Sequence, residues 1–477
     1  MSKSFYVTSP IYYPNAQPHL GHAYTTLLCD ALIRYHKALG DDTYFLTGTD
    51  ENSEKIVQAA EKLGRDPKEY LEENVQRFKD LYALLDIQYD QFIRTTDEVV
   101  HWPGAIEMWK RLEASGDLYK ASYTGLYCVG HEAFLTDKEL DENGVCPDHG
   151  VAPEEVVEEN WFFKLSKYKD ILADRINTGE LSITPETRKN EVLSFLKTVE
   201  DVSFSRPASK MTWGVPVPGD ETQKMYVWVD ALSNYITALG FGRGEELMHF
   251  WPGVHILGKD ILRFHAVFWP AMLISAQLPL PKEIFVHGSI ISDGKKMSKT
   301  LGNVISPYEM VDRYGKDASR YLLLKHVHPF EDTDVTWERL DEWYMAYLSN
   351  GLGNLVARVM KMAETHLDMP VVEVTPVFSE AIKGEFENAM SGFEFNHALD
   401  VVWKRVGDLD AYIQEHQPYK VVKTDPDTAK EDIKYLVTEL MGIAHLLEPF
   451  MPETTIKIKE AVTENRMPEA LFPRLDT

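Results

Sequence analysis

The chain is poor in the features that tie a protein to a membrane or to an oxidising compartment. Its 477 residues include only three cysteines, Cys29, Cys128 and Cys146. An odd, scattered set gives no disulfide framework and suits a reducing cytoplasm. No apolar run approaches the roughly 20 residues that a bilayer-spanning helix needs, so no membrane partner is expected. The N-terminus enters a strand-like run, Ser4-Phe5-Tyr6-Val7-Thr8, with no apolar targeting region ahead of it. Repeats and low-complexity tracts are missing too. Positive charge is scarce: 49 Lys and Arg against 75 Asp and Glu leave a formal net charge of −26. Taken alone, that argues against a nucleic-acid partner, because phosphate contacts need Lys and Arg. A local basic face on an acidic, solvated surface remains open, since net charge speaks to solubility more than to fold.

What is present is an ordinary globular composition, 44% hydrophobic and 26% charged. The chain is too long for one compact core, and roughly three domains are expected. Residues 1–115 alternate strand-like and helix-like segments. Ser9-Pro10 breaks the first strand, Ala23 to Leu39 reads as helix, and Thr43-Tyr44-Phe45-Leu46-Thr47 reads as a second strand ending near Asp50. This is the βαβ pattern of a parallel, Rossmann-like α/β sheet, whose ligands bind at the carboxyl ends of strands. Residues 116–225 are turn-rich and acidic and read as an insertion. Strand-like runs return over 226–345, at Met225–Val229, Val254–Leu257 and Ile284–His287. From 346 to 477 helical periodicity dominates, with Leu352, Leu355, Val356, Val359 and Met362 on one stripe. Glu448 to Glu453, with two prolines, breaks that array near its end.

Two short segments carry chemistry. In Pro18-His19-Leu20-Gly21-His22 the histidines are three apart and share a face of the first helical turn. A helix N-terminus offers free N–H groups and partial positive charge to a polyphosphate. Gly21 allows close approach to the backbone, and imidazole N–H donors can stabilise charge developing on phosphorus-bound oxygen. In Lys296-Met297-Ser298-Lys299-Thr300, after the turn Ser292-Asp293-Gly294, two flexible point charges suit the oxygens of a departing pyrophosphate. A third pattern lies in the insertion. Cys128-x-x-His131 and Cys146-x-x-His149 have the spacing of paired knuckles that close a tetrahedron around a structural Zn²⁺; the plain alternative is a metal-free knuckle with two free thiols.

In this order the first two segments resemble the HIGH and KMSKS signatures of class I aminoacyl-tRNA synthetases. The surrounding residues narrow the resemblance to the methionine-specific family, over essentially the whole chain. The resemblance implies ATP with Mg²⁺, L-methionine and tRNA(Met) as partners. It implies phosphate roles for His19, His22, Lys296 and Lys299, and a nucleotide-binding role for Gly21, Lys259, Asp260, Met297 and Ser298. Ile11, Tyr13, Trp228, Ala231, Tyr235, Phe264, His265 and Trp269 fall on the family's methionine pocket, and aromatic walls suit a polarisable thioether. Asp50 matches the carboxylate that faces the substrate ammonium, and Arg206 an arginine near its carboxylate. Asn354, Arg358 and Tyr419 match positions that read the anticodon, in a helical bundle that binds it. The family insertion often carries zinc. Departures are visible: Thr300 replaces a serine, a histidine stands second in each knuckle, and Tyr419 stands where a tryptophan is usual. The resemblance ends near Leu471-Phe472-Pro473-Arg474 without an appended tRNA-binding domain, so a cytoplasmic monomer is expected. Another class I synthetase, a nucleotidyltransferase with only an H-x-G-H segment, and a non-enzymatic tRNA-binding relative remain as rivals.

Overall fold

The computed structural model describes residues 3–128, 133–135, 140–147, 150–211, 213–297, 303–371 and 380–475. Its centre is a six-stranded parallel sheet. The strands run in the order Gln91–Arg94, Asp42–Thr49, Ser4–Tyr12, Val254–Gly258, Glu283–His287 and Ser182–Thr184. The order reverses between Ser4–Tyr12 and Val254–Gly258, where the carboxyl ends of parallel strands open a crevice. Both faces of the sheet are covered, which is why its strands read as near-continuous apolar runs: Val7, Phe45, Ile256, Leu257, Phe285 and Val286 have no exposed surface. The first helix, Leu20–Ala38, is buried on nearly every side, including Thr25, Thr26 and Asp30 as well as Tyr24, Leu27 and Ala31.

Three features differ from the sequence reading, each for a physical reason. Ser9-Pro10 does not end the first strand, which runs to Tyr12 across a register shift between Thr8 and Ile11. A bulge accommodates a proline that cannot donate to the ladder. Met225–Val229 is not one strand: Asp220–Met225 is an antiparallel strand and Val227 opens a helix to Thr237. Every residue of that helix is buried, Asp230, Ser233, Asn234 and Thr237 included, and its opening apolar run Val227-Trp228-Val229 is too short for a period to separate helix from strand. Finally, Ser182–Thr184, within 116–225, joins the main sheet beside Glu283–Phe285. Much of the remaining insertion is a four-stranded antiparallel sheet containing Leu118–Cys128 and Glu154–Phe163.

From Trp337 onward the elements are helical: Trp337–Trp343, Tyr344–Gly353 (π-helical), Asn354–His366, Glu380–Ser391, Phe395–His416, Pro418–Val421, Pro426–Leu447 and Pro452–Glu464. The stripe Leu352, Leu355, Val356, Val359 and Met362 is buried. Arg320 ties this bundle to the sheet domain. Fully buried, it donates from Nε to the Phe450 carbonyl (2.8 Å), from Nη1 to the Leu85 carbonyl (3.0 Å), and from Nη2 to Asp30 Oδ2 (2.6 Å) and the Pro449 carbonyl (3.1 Å). Asp30 is equally buried and also pairs with Arg34 at 2.7 Å. A buried charge is tolerated only with such complete pairing. No described helix is long and apolar enough to cross a membrane.

Candidate active site

The first helix begins at the crevice, and its start is closed by imidazoles. His19 is the N-cap: the Gly21 N–H donates to His19 Nδ1, and the His19 N–H donates to His22 Nδ1, both at 3.1 Å. This is a capping box built from two histidines in place of the usual Ser and Glu. An amide donates only to an unprotonated ring nitrogen, so each ring keeps its proton on Nε2. The rings stack at 3.7 Å. Burial, and then the neighbouring His19, hold His22 well below the ordinary imidazole range, so it is neutral at pH 7. A Cβ at Gly21 would stand 3.0 Å from the His19 ring, tight enough to push that ring aside by a few tenths of an ångström. The result is a helix N-terminus lined by imidazole Nε2–H groups, chemistry suited to an anion.

Across the crevice, strand Glu283–His287 leads into the hairpin Ile290–Ser292 and Lys295–Lys296, which turns at Asp293 and Gly294 with positive φ. Met297 packs partly buried against the core. Ser298, Lys299 and Thr300 lie outside the described residues. Lys259 grips both carboxylate oxygens of Asp332 at 2.7 and 2.9 Å, and Asp332 also accepts the Ser289 N–H. Partial burial opposes ionisation of Asp332, but the bonds from Lys259 and Ser289 prevail and hold its carboxyl below the usual range. Asp260 is exposed beside them. His287 bridges the two sides: Nδ1–H donates to the Gly288 carbonyl, and Nε2 meets Thr25 Oγ1 of the first helix, both at 2.7 Å. Neither Thr25, His287 nor Asp332 was singled out from the sequence. A polar residue ending the apolar strand run Ile284-Phe285-Val286 is a signal that could have found His287.

Beside the crevice the aromatic residues pack into one buried cluster. Trp228 stacks on Phe264 at 3.8 Å, nearly parallel, with the His265 edge at 6.0 Å. His265 Nδ1–H donates to the Ile261 carbonyl (2.9 Å), so Nε2 accepts from the Tyr235 hydroxyl (2.6 Å). Burial brings His265 down to about 4, against the opposing pull of Ile261. Trp269 Nε1–H donates to His255 Nε2 (3.2 Å), and His255 Nδ1–H donates to Thr8 Oγ1 (2.7 Å). Ile11 and Tyr13 pack half-buried against the same cluster, and Ala231 is buried on the helix of Trp228 and Tyr235. Asp50 follows strand Asp42–Thr49, 3% exposed, its N–H donating to the Tyr12 carbonyl. Arg206 Nη1 donates to Ser203 Oγ and the Ser205 carbonyl at 2.8 Å, with its guanidinium over the Tyr226 ring. Soft aromatic walls suit an apolar, polarisable side chain.

In the bundle, Asn354 is exposed, and Arg358, one turn on, pairs with Asp410 at 2.7 Å. Asp410 lies on Phe395–His416, which leads through Gln417 to the exposed Tyr419. In the insertion, Cys128 and Cys146 are buried together with Leu135. His131 and His149 lie outside the described residues. Among the described residues no three candidate metal ligands converge.

A parallel-sheet fold that joins a histidine-capped helix to a lysine-bearing hairpin across its strand ends defines a class I aminoacyl-tRNA synthetase. The family described as tRNA synthetases class I (M) matches residues 5–156 and 143–360, and the anticodon binding domain of methionyl tRNA ligase matches residues 380–474. The methionine–tRNA ligase of Caldanaerobacter subterraneus subsp. tengcongensis is 40% identical over 511 residues, covering 100% of this chain and 80% of its own. That of Fusobacterium nucleatum is 40% identical over 475 residues, covering 96% and 74%. The Mycobacterium tuberculosis methionyl-tRNA synthetase in complex with methionyl-adenylate superposes with a TM-score of 0.89 at 35% identity, covering 99% of this chain and 98% of its own. Its apo form gives 0.84 at 32%, covering 100% and 99%. The chain belongs to the methionine–tRNA ligase family.

Proposed function

We propose that the chain joins L-methionine to ATP, giving methionyl-adenylate and pyrophosphate, and then passes the methionyl group to the 3′-terminal ribose of tRNA(Met). The observation that supports this reading is the end of strand Ser4–Tyr12, where Tyr12 meets the His22 ring at 4.7 Å while Ile11 and the following Tyr13 pack against the aromatic cluster. In the first step a methionine carboxylate oxygen attacks the α-phosphorus in line, and the bond to the β-phosphate oxygen breaks. In the second, a ribose hydroxyl attacks the activated carbonyl and AMP departs. Neither step needs a side-chain nucleophile; positioning and charge stabilisation supply the rate.

In this reading His19 and His22 present Nε2–H donors to charge growing on the α-phosphate, with Gly21 beneath the nucleotide. Lys296 and Lys299 neutralise the departing pyrophosphate, and Met297 and Ser298 line the loop between them. Lys259 and Asp260 flank the nucleotide. Asp50 takes the methionine ammonium and Arg206 the carboxylate. Ile11, Tyr13, Trp228, Ala231, Tyr235, Phe264, His265 and Trp269 enclose the thioether. Mg²⁺ would accompany the nucleotide and offset phosphate charge. Asn354, Arg358 and Tyr419 read anticodon bases, the tyrosine by stacking. Residues 1–115 and 226–345 form the catalytic domain, 116–225 the connective insertion and 346–477 the anticodon bundle, working in the cytoplasm. A structural Zn²⁺ would be held by Cys128, His131, Cys146 and His149; two buried thiols in one cluster support that donor set, and the metal content of purified protein tests it.

The test of the whole reading is amino-acid-dependent ATP–pyrophosphate exchange, screened over the twenty amino acids without tRNA. Exchange with methionine alone, abolished in Lys299→Ala, is the expected result. Exchange with another amino acid refutes the pocket, and none with any refutes the activity.

A further inference from the structure

We infer that Asp230 is a positioning residue for methionine: through Asn52 and His101 it fixes the loop that carries Asp50 against the helix that carries Trp228, Ala231 and Tyr235. The inference rests on the methionine-activating reading above.

Three segments far apart in sequence meet at this carboxylate. Asp230 Oδ2 accepts a hydrogen bond from Asn52 Nδ2, and Oδ1 one from His101 Nε2, both at 2.7 Å. The other Asn52 amide hydrogen goes to the Thr95 carbonyl at 3.0 Å. Both neighbours of that nitrogen are acceptors, which fixes the orientation of the amide. His101 Nδ1 meets Thr237 Oγ1 at 2.8 Å, so the imidazole is held at both ends between Asp230 and the C-terminal turn of the same helix. All four side chains are at most 1% exposed, and no water competes for these bonds. The helix packs closely on Gly104, where a Cβ would fall 2.4 Å from Thr237 Cγ2.

The loop is held from its other side as well. Glu51, between Asp50 and Asn52, is fully buried and accepts from Thr49 Oγ1 at 2.6 Å and Arg94 Nε at 2.7 Å. The Asp50 amide is fixed to Tyr12. Asp50 therefore sits on a turn whose next two residues are both anchored, one of them to the aromatic helix. A methionine-sized substrate must reach from the carboxylate that takes its ammonium to the rings that enclose its sulfur. The Asn52–Asp230 bond links the two supporting elements directly. Loosening it changes that span without removing any group that touches substrate.

The test is methionine-dependent pyrophosphate exchange by Asp230→Asn, with thermal unfolding measured alongside. The expected result is a methionine KM raised about tenfold, the effect of losing one charge-assisted hydrogen bond. KM for ATP should be unchanged and kcat altered by less than about threefold. The kcat/KM preference for methionine over homocysteine and ethionine should narrow, since these differ by single carbons whose discrimination depends on the span. If Asp230→Asn does not fold, Asn52→Ala cuts the same bond from the loop side and carries the same expectations. A folded variant with wild-type methionine KM and wild-type discrimination overturns the inference. So does a parallel loss of kcat, both KM values and stability, which marks a purely structural role. Absence of methionine-dependent exchange in the unaltered protein refutes the functional reading itself and is a separate outcome.

Discussion

At Gly21 one methyl group separates a formed cap from a displaced one. The Cβ of Gly21→Ala would press on the His19 ring at 3.0 and 3.1 Å, moving both imidazoles. Pyrophosphate exchange should then fall by up to about tenfold, since a shift of a few tenths of an ångström at the reacting centre costs less than the roughly 100-fold of a full 1 Å misplacement. Thermal stability should fall by no more than about 1 kcal/mol, the value of one N-cap. Residues of this kind were legible in the sequence where their spacing was local: His19, Gly21 and His22 lie within one turn. That the histidines cap each other was not legible, because imidazole is an unusual cap and the pairing depends on tautomers. Asn52, His101 and Asp230 gave no signal at all. Asn52 meets Asp230 across 178 positions and His101 meets it across 129, and such bonds exist only once the sheet has formed.

Among the elements, the bundle gives the plainest prediction. Arg358 and Tyr419 reach their proposed places on separate helices, Asn354–His366 and Pro418–Val421. Replacing Tyr419 with alanine removes a stacking surface worth about 1–3 kcal/mol per base. Aminoacylation should show KM for tRNA(Met) raised roughly tenfold or more in Tyr419→Ala and in Arg358→Ala, with pyrophosphate exchange unchanged. Loss of exchange in either variant would contradict a role confined to tRNA. Strongly periodic elements were legible: Leu352, Leu355, Val356 and Val359 announce a buried helix face, and all four are fully buried. Val227–Thr237 was misread as strand at its start because its whole circumference is buried. The edge strand Ser182–Thr184 was missed because three residues give too short a pattern. The paired spacing Cys128-x-x-His131 and Cys146-x-x-His149 was legible, and its two histidines fall outside the described residues.

For the molecule as a whole, acid sensitivity follows from its buried histidines. Burial holds His22, His255, His265 and His287 below their ordinary value of 6.5. The folded protein therefore binds fewer protons than the unfolded chain just below that value, and stability rises with pH there. Its contribution is complete above 6.5 and is lost as pH falls, for His265 over the window from 6.5 to about 4. Chemical denaturation at pH 7, 6, 5 and 4 should show a falling midpoint, and His265→Gln should flatten the slope. A midpoint constant from pH 7 to 4 would contradict this.

Arg320 acts on the same scale. Arg320→Met takes from buried Asp30 one of its two arginine partners, cuts the bonds to the bundle turn, and should cost about 3–5 kcal/mol, read as a drop in unfolding free energy. Of the four acceptors that Arg320 engages, two are carbonyls of the Pro449-Phe450 turn and one is the Leu85 carbonyl. Main-chain oxygens carry no residue identity. A chimera that borrows its bundle from a relative therefore needs to bring the path of that turn and not its letters, whereas a sheet domain made without any bundle would leave a guanidinium with half its acceptors missing. The bundle's half of the tie is thus a shape, while the sheet domain's half depends on two particular side chains, Arg320 and Asp30.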